Sequence, residues 1–482
     1  MTPARTSNRV VITTVLLALL ASILSTTPVY SAMPQPGKIC LKLGTHVVAN
    51  GLKLSCVKLG SKLVWTNSVK AIAKEAAPTQ APAPTPSPTK STAPKSPQFA
   101  NAEELRGFVN LAKSAMSNQK NQLPTLDTDG IVKIDQVGSN ILSNFLMASS
   151  TTQFTILGPT PLLETDASRI GSLSLITKDH KMVYQSQSAL APWAVSFNLT
   201  TTDPQGRLIV KTSGLLGSRN PEYAWRLVFK TSNGAWKYKT ISGQSHPNND
   251  VQYFDEVTLG SAGTFSIRLE FEATTTFYGI GLNDAGTAVS PLTSKVAPRV
   301  LVLGDSWVSP GFNETGPVHV WDAFPGALSW LTGWNVISAG VGGQGYLQIA
   351  AGETYKDRVV RDLVPQSPDV VIFTGSPNDP WGPGKFSASK IAAEMASDIR
   401  LLQQADPTVL IIVCSPFFQF DNQQDLMRKE AFALGVSIVD FTRPMLFDEV
   451  NNGQNQLANG HPTRTGSGYI AAELLKRIAG LL

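Results

Sequence analysis

The sequence predicts two folded regions of different class. A helical lead-in and an antiparallel β-sandwich occupy residues 100–296, and an α/β domain follows over 297–482 with a parallel sheet between two helical layers. Three observations carry this expectation. From about residue 152, apolar and polar residues alternate in short runs broken by Gly, Asn and Asp turns, the pattern of half-buried antiparallel strands. From about residue 297, continuous β-branched runs alternate with helical segments, as suits strands buried on both faces. The chain has 482 residues, too many for one ordinary core.

The elements before the sandwich follow in order. Arg5 and Arg9 precede the apolar run VVITTVLLALLASIL, and Val29 with Ser31 or Ala32 offers small residues for cleavage, so residues 1–32 read as a secretory signal peptide. An uncleaved anchor helix is the alternative, and no second apolar run is long enough to span a bilayer. Residues 33–69 form a small Cys/Gly/Trp module in which an oxidising compartment favours a Cys40–Cys56 disulfide. This module resembles short Cys-Gly-Trp segments near the N-termini of exported actinobacterial proteins. Residues 70–99 are a Pro/Ala/Thr-rich linker, with too little apolar surface to fold.

Leu105, Phe108, Val109, Ala112 and Met116 share one face of the lead-in helix, and ILSNFLMAS predicts a second short helix. The sandwich strands include SLSLITKD, AVSFNLTTTD, RLIVKTSG, AWRLVFKTSNGAWKYKTI and TFSIRLEFEATTTFYGIGL. Within them Tyr238, Phe271 and Phe277 read as core or sheet-face residues, with a carbohydrate-contacting face as the alternative. The parallel strands are RVLVLGD, WNVISAG, DVVIFTG, VLIIVCS and VSIVDF, with ASKIAAEMASDIRLLQQ as an intervening helix.

Composition narrows the function. Hydrophobic residues make up 42% and charged residues 16%, and the net charge of +5 is spread thinly, without the dense Lys/Arg block of a nucleic-acid groove. No Cys/His spacing fits a zinc site. Cys414, in VLIIVCSP, reads as a buried core residue.

Four segments stand at strand ends or beyond the last strand. They are GDSW with Ser306, SAGVGGQGY with Gly343, TGSPND with Asn378, and NGHP with His461. Ligands of such folds bind at the carboxyl ends of the strands. Acyl transfer from a serine needs a general base, a role that suits histidine, and donors aimed at the developing oxyanion. A backbone N–H, a glycine N–H and an Asn amide supply such donors, and a side chain at 343 would block the backbone's approach to the acyl group. Each segment alone has a plainer explanation. Ser306 can cap a following helix, the glycines can form a turn, Asn378 and Asp379 can form another, and His461 can end a loop. Their occurrence together, in order, favours chemistry.

On these motifs, residues 297–482 resemble the SGNH hydrolase superfamily, or GDSL esterases. The resemblance implies a three-layer, flavodoxin-like fold with Ser306 as nucleophile and first oxyanion donor. It also implies Gly343 and Asn378 as the other donors and His461 as base. GSPND carries one residue more than the family's G-x-N-D block, and Ser338 stands where an Asn often precedes the glycines. The family usually places an Asp three residues before the histidine, and here that residue is Ala458. A Ser306–His461 dyad is therefore expected, with Asp440 as a substitute carboxylate whose plainer role is structural. His319 reads as a surface-loop residue. Trp307, Trp321 and Trp381 either line the site or belong to the core.

With its export signal and a β-sandwich ahead of the α/β domain, the layout resembles secreted carbohydrate esterases with an N-terminal jelly-roll. The expectation is a secreted or envelope-associated serine esterase that cleaves short acyl esters, O-acetyl groups on carbohydrate first among them, by a mechanism that needs neither a metal nor an organic cofactor. Its substrate is an acylated small molecule or a polysaccharide, and a cell-wall glycan is a further partner. An envelope glycan O-acyltransferase using the same site and a catalytically weak cell-wall-binding protein are the alternatives.

Overall fold

A computed structural model describes residues 46–49, 52–59, 62–67, 102–118, 122–138, 144–150, 152–164, 171–175, 192–213, 225–240, 251–282, 286–292, 297–309, 320–417, 422–441, 457–458 and 461–482. Two compact units divide the chain, residues 1–91 and 92–482. In the first, strands His46–Ala49, Leu52–Leu59 and Lys62–Asn67 form an antiparallel sheet. The leader, the linker and Cys40 lie outside the described residues, as does the side chain of Cys56, and so does the expected disulfide.

In the second unit, two seven-stranded sheets make the sandwich. Trp193–Thr201, Gly263–Phe271 and Trp225–Thr231 run antiparallel at the centre of one sheet. Arg207–Ser213, Gln252–Thr258 and Thr276–Leu282 do so in the other. Their inward residues alternate as the pattern predicts: Phe197, Leu199, Phe271, Leu208, Val210 and Phe277 are all buried in one core. Phe271 and Phe277 lie 5.3 Å apart, so they are core residues. Half-buried Tyr238 lies on the strand Lys237–Thr240 and stacks under two arginines.

One expectation fails here. Asn144–Met147, within ILSNFLMAS, is a strand that pairs with Gly279–Leu282. A short apolar run has no period of its own, and the open edge of Thr276–Leu282 decides its state. Of SLSLITKD, the described residues form only the two-residue strand Leu173–Ser174.

The parallel sheet holds Arg299–Gly304, Asn335–Gly340, Val370–Thr374, Leu410–Cys414 and Ser437–Val439. Numbered in sequence, their order is 2-1-3-4-5 and every pair is parallel. Helices Phe324–Thr332 and Arg464–Ala479 share a core with one face of this sheet, and Ala388–Ala405 and Gln423–Ala433 with the other. The lead-in helix, Ala102–Ser117, joins the first of these cores rather than the sandwich. Its Phe108 ring lies 4.6 Å from that of Trp334. Met116, at its last turn, is exposed.

Among the described residues, the sandwich meets the α/β region at the N-terminal ends of the parallel strands and along one flank. At the strands' N-terminal ends, Gly158 N–H donates to Asn335 Oδ1 (2.7 Å) and Arg299 donates to Thr160 Oγ1 (2.9 Å). On the flank lies a buried ion cluster of Arg226, Arg268, Glu270 and Asp322, in which Arg268 stacks on the rings of Trp321 and Trp330. Trp330 Nε1 donates to Glu270 at 2.9 Å, and Trp321 Nε1 to the Trp193 carbonyl at 3.1 Å.

Asp398, on helix Ala388–Ala405, is fully buried, and neither carboxylate oxygen has a hydrogen-bond partner among the described residues. Burial pushes its pKa up to about 8 from an ordinary 3.8, with nearby Glu394 adding to the rise. The folded state thus keeps a proton that the unfolded chain releases. Stability contributed here is full below pH 3.8, falls as pH climbs, and is lost above about 8. Urea unfolding midpoints of the wild type should fall between pH 6 and pH 8, and Asp398→Asn should remove most of that fall. An equal fall in both proteins refutes the assignment.

Candidate active site

The strand order 2-1-3-4-5 places a topological switch point between strands 1 and 3, where ligands of such sheets bind beyond the carboxyl ends. Ser306 follows strand 1, Gly343 follows strand 2 and Asn378 follows strand 3.

After Gly304 the chain turns sharply. Val308 and Ser309 N–H groups both donate to the Asp305 carbonyl, at 3.1 and 2.8 Å, and Asp305 Oδ1 accepts from Trp307 N–H at 2.9 Å. Ser306 thus sits half-buried at the tip of a turn. Residues 307–309 continue this turn and are not helical. The turn lies flat on strand 2. A Cβ at Gly340 would come 2.1 Å from Ser309 N, a clash only glycine avoids.

Two carboxylates hold the loops, and the motif reading assigned a role to neither. Asp305 is buried, and its Oδ2 accepts from Ser376 Oγ (2.7 Å) and Asn378 Nδ2 (3.2 Å). Burial pushes its pKa up to about 6 against these hydrogen bonds, which favour the anion. Asp379 accepts backbone N–H bonds from Tyr346, Leu347 and Gln348 at 2.8–3.0 Å, which pins the glycine loop. Its pKa is also raised by burial. Sequence offered one signal for both: an acid inside each motif, directly before Ser306 and directly after Asn378.

Asn378 bridges three loops. Its Nδ2 lies 3.2 Å from Asp305 Oδ2 and 3.0 Å from both the Gln344 carbonyl and Ser376 Oγ. An amide has two hydrogens, so donation to an oxyanion draws on one already used internally. Gly343 has φ +78°, and a Cβ there would meet only Ala350 Cβ, at 3.3 Å. The left-handed backbone by itself calls for glycine at this position.

His461 comes from the other end of the domain. Leu457–Ala458 and His461–Pro462 form a two-stranded hairpin in which Ala458 lies directly opposite His461. Thr463 then caps helix Arg464–Ala479, accepting from Gly466 N–H at 3.1 Å. This path brings His461 Nε2 to 2.9 Å from Ser306 Oγ, across 155 residues of sequence. With the ring proton on Nδ1, Nε2 accepts the hydroxyl proton, the arrangement of nucleophile and base.

The remaining candidates separate. Asp440 accepts from Ser415 Oγ (3.3 Å) and is paired with Arg428, in keeping with a structural role. Trp307 stacks on Phe417 at 5.1 Å in the core, and Trp321 is buried under Arg268. Trp381 is 61% exposed at the end of the short helix Asn378–Trp381. His319 lies outside the described residues. Cys414 is buried, and burial pushes its thiol pKa well up.

Residues 302–468 match the GDSL-like lipase/acylhydrolase family. No curated protein matches the chain in sequence. Among solved structures, the chain is similar to a family two carbohydrate esterase from Cellvibrio japonicus, at 14% identity over 73% of this chain and 99% of that one, with a TM-score of 0.41. An acetyl xylan esterase from the rumen bacterium Butyrivibrio proteoclasticus shares 12% identity over 69% and 97%, with a TM-score of 0.45. A salicylyl-acyltransferase from a tetracycline biosynthetic pathway shares 15% over 70% and 98%, with a TM-score of 0.47.

Proposed function

We propose that residues 302–468, which match the GDSL-like lipase/acylhydrolase family, form a serine ester hydrolase domain, and that the protein is a secreted esterase whose Ser306–His461 dyad removes short acyl groups, O-acetyl first among them, from carbohydrate. The observation that carries the dyad is the 2.9 Å contact between His461 Nε2 and Ser306 Oγ. Export rests on the leader-like N-terminus. The carbohydrate assignment rests on that leader together with a β-sandwich preceding the hydrolase domain. It is the step furthest from the chemistry, because fold does not fix substrate.

In the mechanism, Ser306 Oγ attacks the ester carbonyl carbon while its proton passes to His461 Nε2. The Ser306 N–H, the Gly343 N–H and one Asn378 amide hydrogen stabilise the tetrahedral oxyanion. Collapse breaks the carbon–oxygen bond to the alcohol, which leaves with the proton from His461, and an acyl-serine remains. Water then loses a proton to His461 and attacks the acyl carbon. The second collapse releases the acid and returns the proton to Ser306.

Acetate release from an acetylated polysaccharide, measured with and without a soluble sugar acceptor, tests the reading. Free acetate in proportion to enzyme is expected in both cases. Acetate found mainly on the added sugar would make the protein the envelope glycan O-acyltransferase instead. Retention on cell-wall glycan with no turnover would make it a cell-wall-binding protein.

A further inference from the structure

We infer that Arg464 is a positioning residue for His461, and that through it the β-sandwich is part of the catalytic apparatus. This rests on the dyad reading above. Arg464 opens the C-terminal helix three residues after His461, with only Pro462 and the capping Thr463 between. Proline fixes one dihedral and the cap fixes the entry to the helix, so movement of the first turn carries to the imidazole.

A cation is poorly placed at that position. The N-terminal end of a helix carries partial positive charge and favours acids, and this helix has none in its first turn. What holds Arg464 there lies across the domain boundary. Its Nη2 donates to the Pro124 carbonyl at 2.6 Å and its Nη1 to the Tyr238 hydroxyl. The guanidinium carbon lies 4.3 Å over the Tyr238 ring. Its Nε is 3.4 Å from Asp322 Oδ1, the same oxygen that accepts from buried Arg226 at 2.8 Å. Pro124 directly precedes the strand Thr125–Leu126, which pairs with the Tyr238 strand at the sheet edge, and Arg226 lies in the adjoining strand. Every one of these partners except Asp322 belongs to the sandwich side.

Asp322 closes the arrangement. It ends the short turn Val320–Asp322, at which the described chain resumes after the Ser306 turn. One carboxylate therefore ties the turn Val320–Asp322 to the segment after His461, and Arg226 anchors it to the sandwich. Misplacing a reacting group by about 1 Å costs on the order of 100-fold in rate. A latch of this kind acts on kcat and leaves substrate affinity alone.

The test uses the full chain and a chromogenic acetate ester, with active sites counted by reaction of Ser306 with an organophosphonate to completion. For Arg464→Gln, kcat per titrated serine should fall about 10- to 100-fold with KM within about twofold of wild type. Tyr238→Phe, which keeps the ring and removes the acceptor, should lose about 3- to 10-fold and carries the test if Arg464→Gln does not fold. A kcat per titrated serine within about twofold of wild type overturns the latch, as does a rise in KM at constant kcat. Ser306→Ala in the same assay separates the two readings. If it is inactive while Arg464→Gln is unimpaired, the latch alone fails; if it is as active as wild type, the dyad fails.

Discussion

Ser306→Ala should lower ester turnover by at least about 1000-fold while leaving the urea midpoint unchanged. The hydroxyl is half-buried at the tip of a turn that Asp305 holds through its own carboxylate and carbonyl, so its loss opens no cavity. His461→Ala should cost about as much, and the double variant little more than either, because the two groups act as one unit. The measurement is hydrolysis of a chromogenic acetate ester by the three variants beside the wild type. A Ser306→Ala protein that keeps more than about a tenth of wild-type turnover rules out the nucleophile. Losses that multiply in the double variant would mean that serine and histidine act separately.

Glu270→Gln should destabilise the fold by about 3–5 kcal/mol, a large share of what a domain has in total. Glu270 is completely buried. It takes a 2.5 Å bond from Arg226 Nε and a 2.9 Å bond from Trp330 Nε1, with Arg268 Nε also 2.9 Å away. The Arg268 contact is an ion contact rather than an aligned hydrogen bond, since that nitrogen finds no well-directed acceptor. Arg268 rests instead on the rings of Trp321 and Trp330, at 4.0 and 4.3 Å, and burial pulls its pKa down to about 10. Removing this carboxylate leaves buried Arg226 and Arg268 close to each other, with Asp322 still paired to Arg226. Urea unfolding at neutral pH measures the loss. A change under about 1 kcal/mol would mean that the cluster relaxes or takes up water more readily than its burial implies.

Local patterns made much of the α/β region legible. The five β-branched runs became five parallel strands because a strand buried on both faces must be apolar throughout, a signal that needs no tertiary context. The positions of Ser306, Gly343 and Asn378 just beyond strands were legible because the same β-branched runs mark where each strand ends. Asn144–Met147 was misread because its strand state comes from a neighbour more than 100 residues away in sequence, Gly279–Leu282. Asp305, Asp379 and Arg464 were passed over for a related reason. An acid in a turn or an arginine at a helix start looks like solvated surface until its partners are known, and Arg464's partners lie at 124, 238 and 322.

Those separations bear on how the protein folds. The contact that places Arg464 spans 340 residues, and the one between His461 and Ser306 spans 155. Long-range closures of this kind cost chain entropy before they return any contact energy. The reactive pair is therefore among the last features to assemble, after each sheet has formed from nearer neighbours. On the proposed dyad, a chain that is emerging or cut short of its final helix carries Ser306 without His461 in place, and so stays chemically silent. Recovered esterase activity would accordingly report completion of the whole sandwich–hydrolase unit, where circular dichroism would register only its parts.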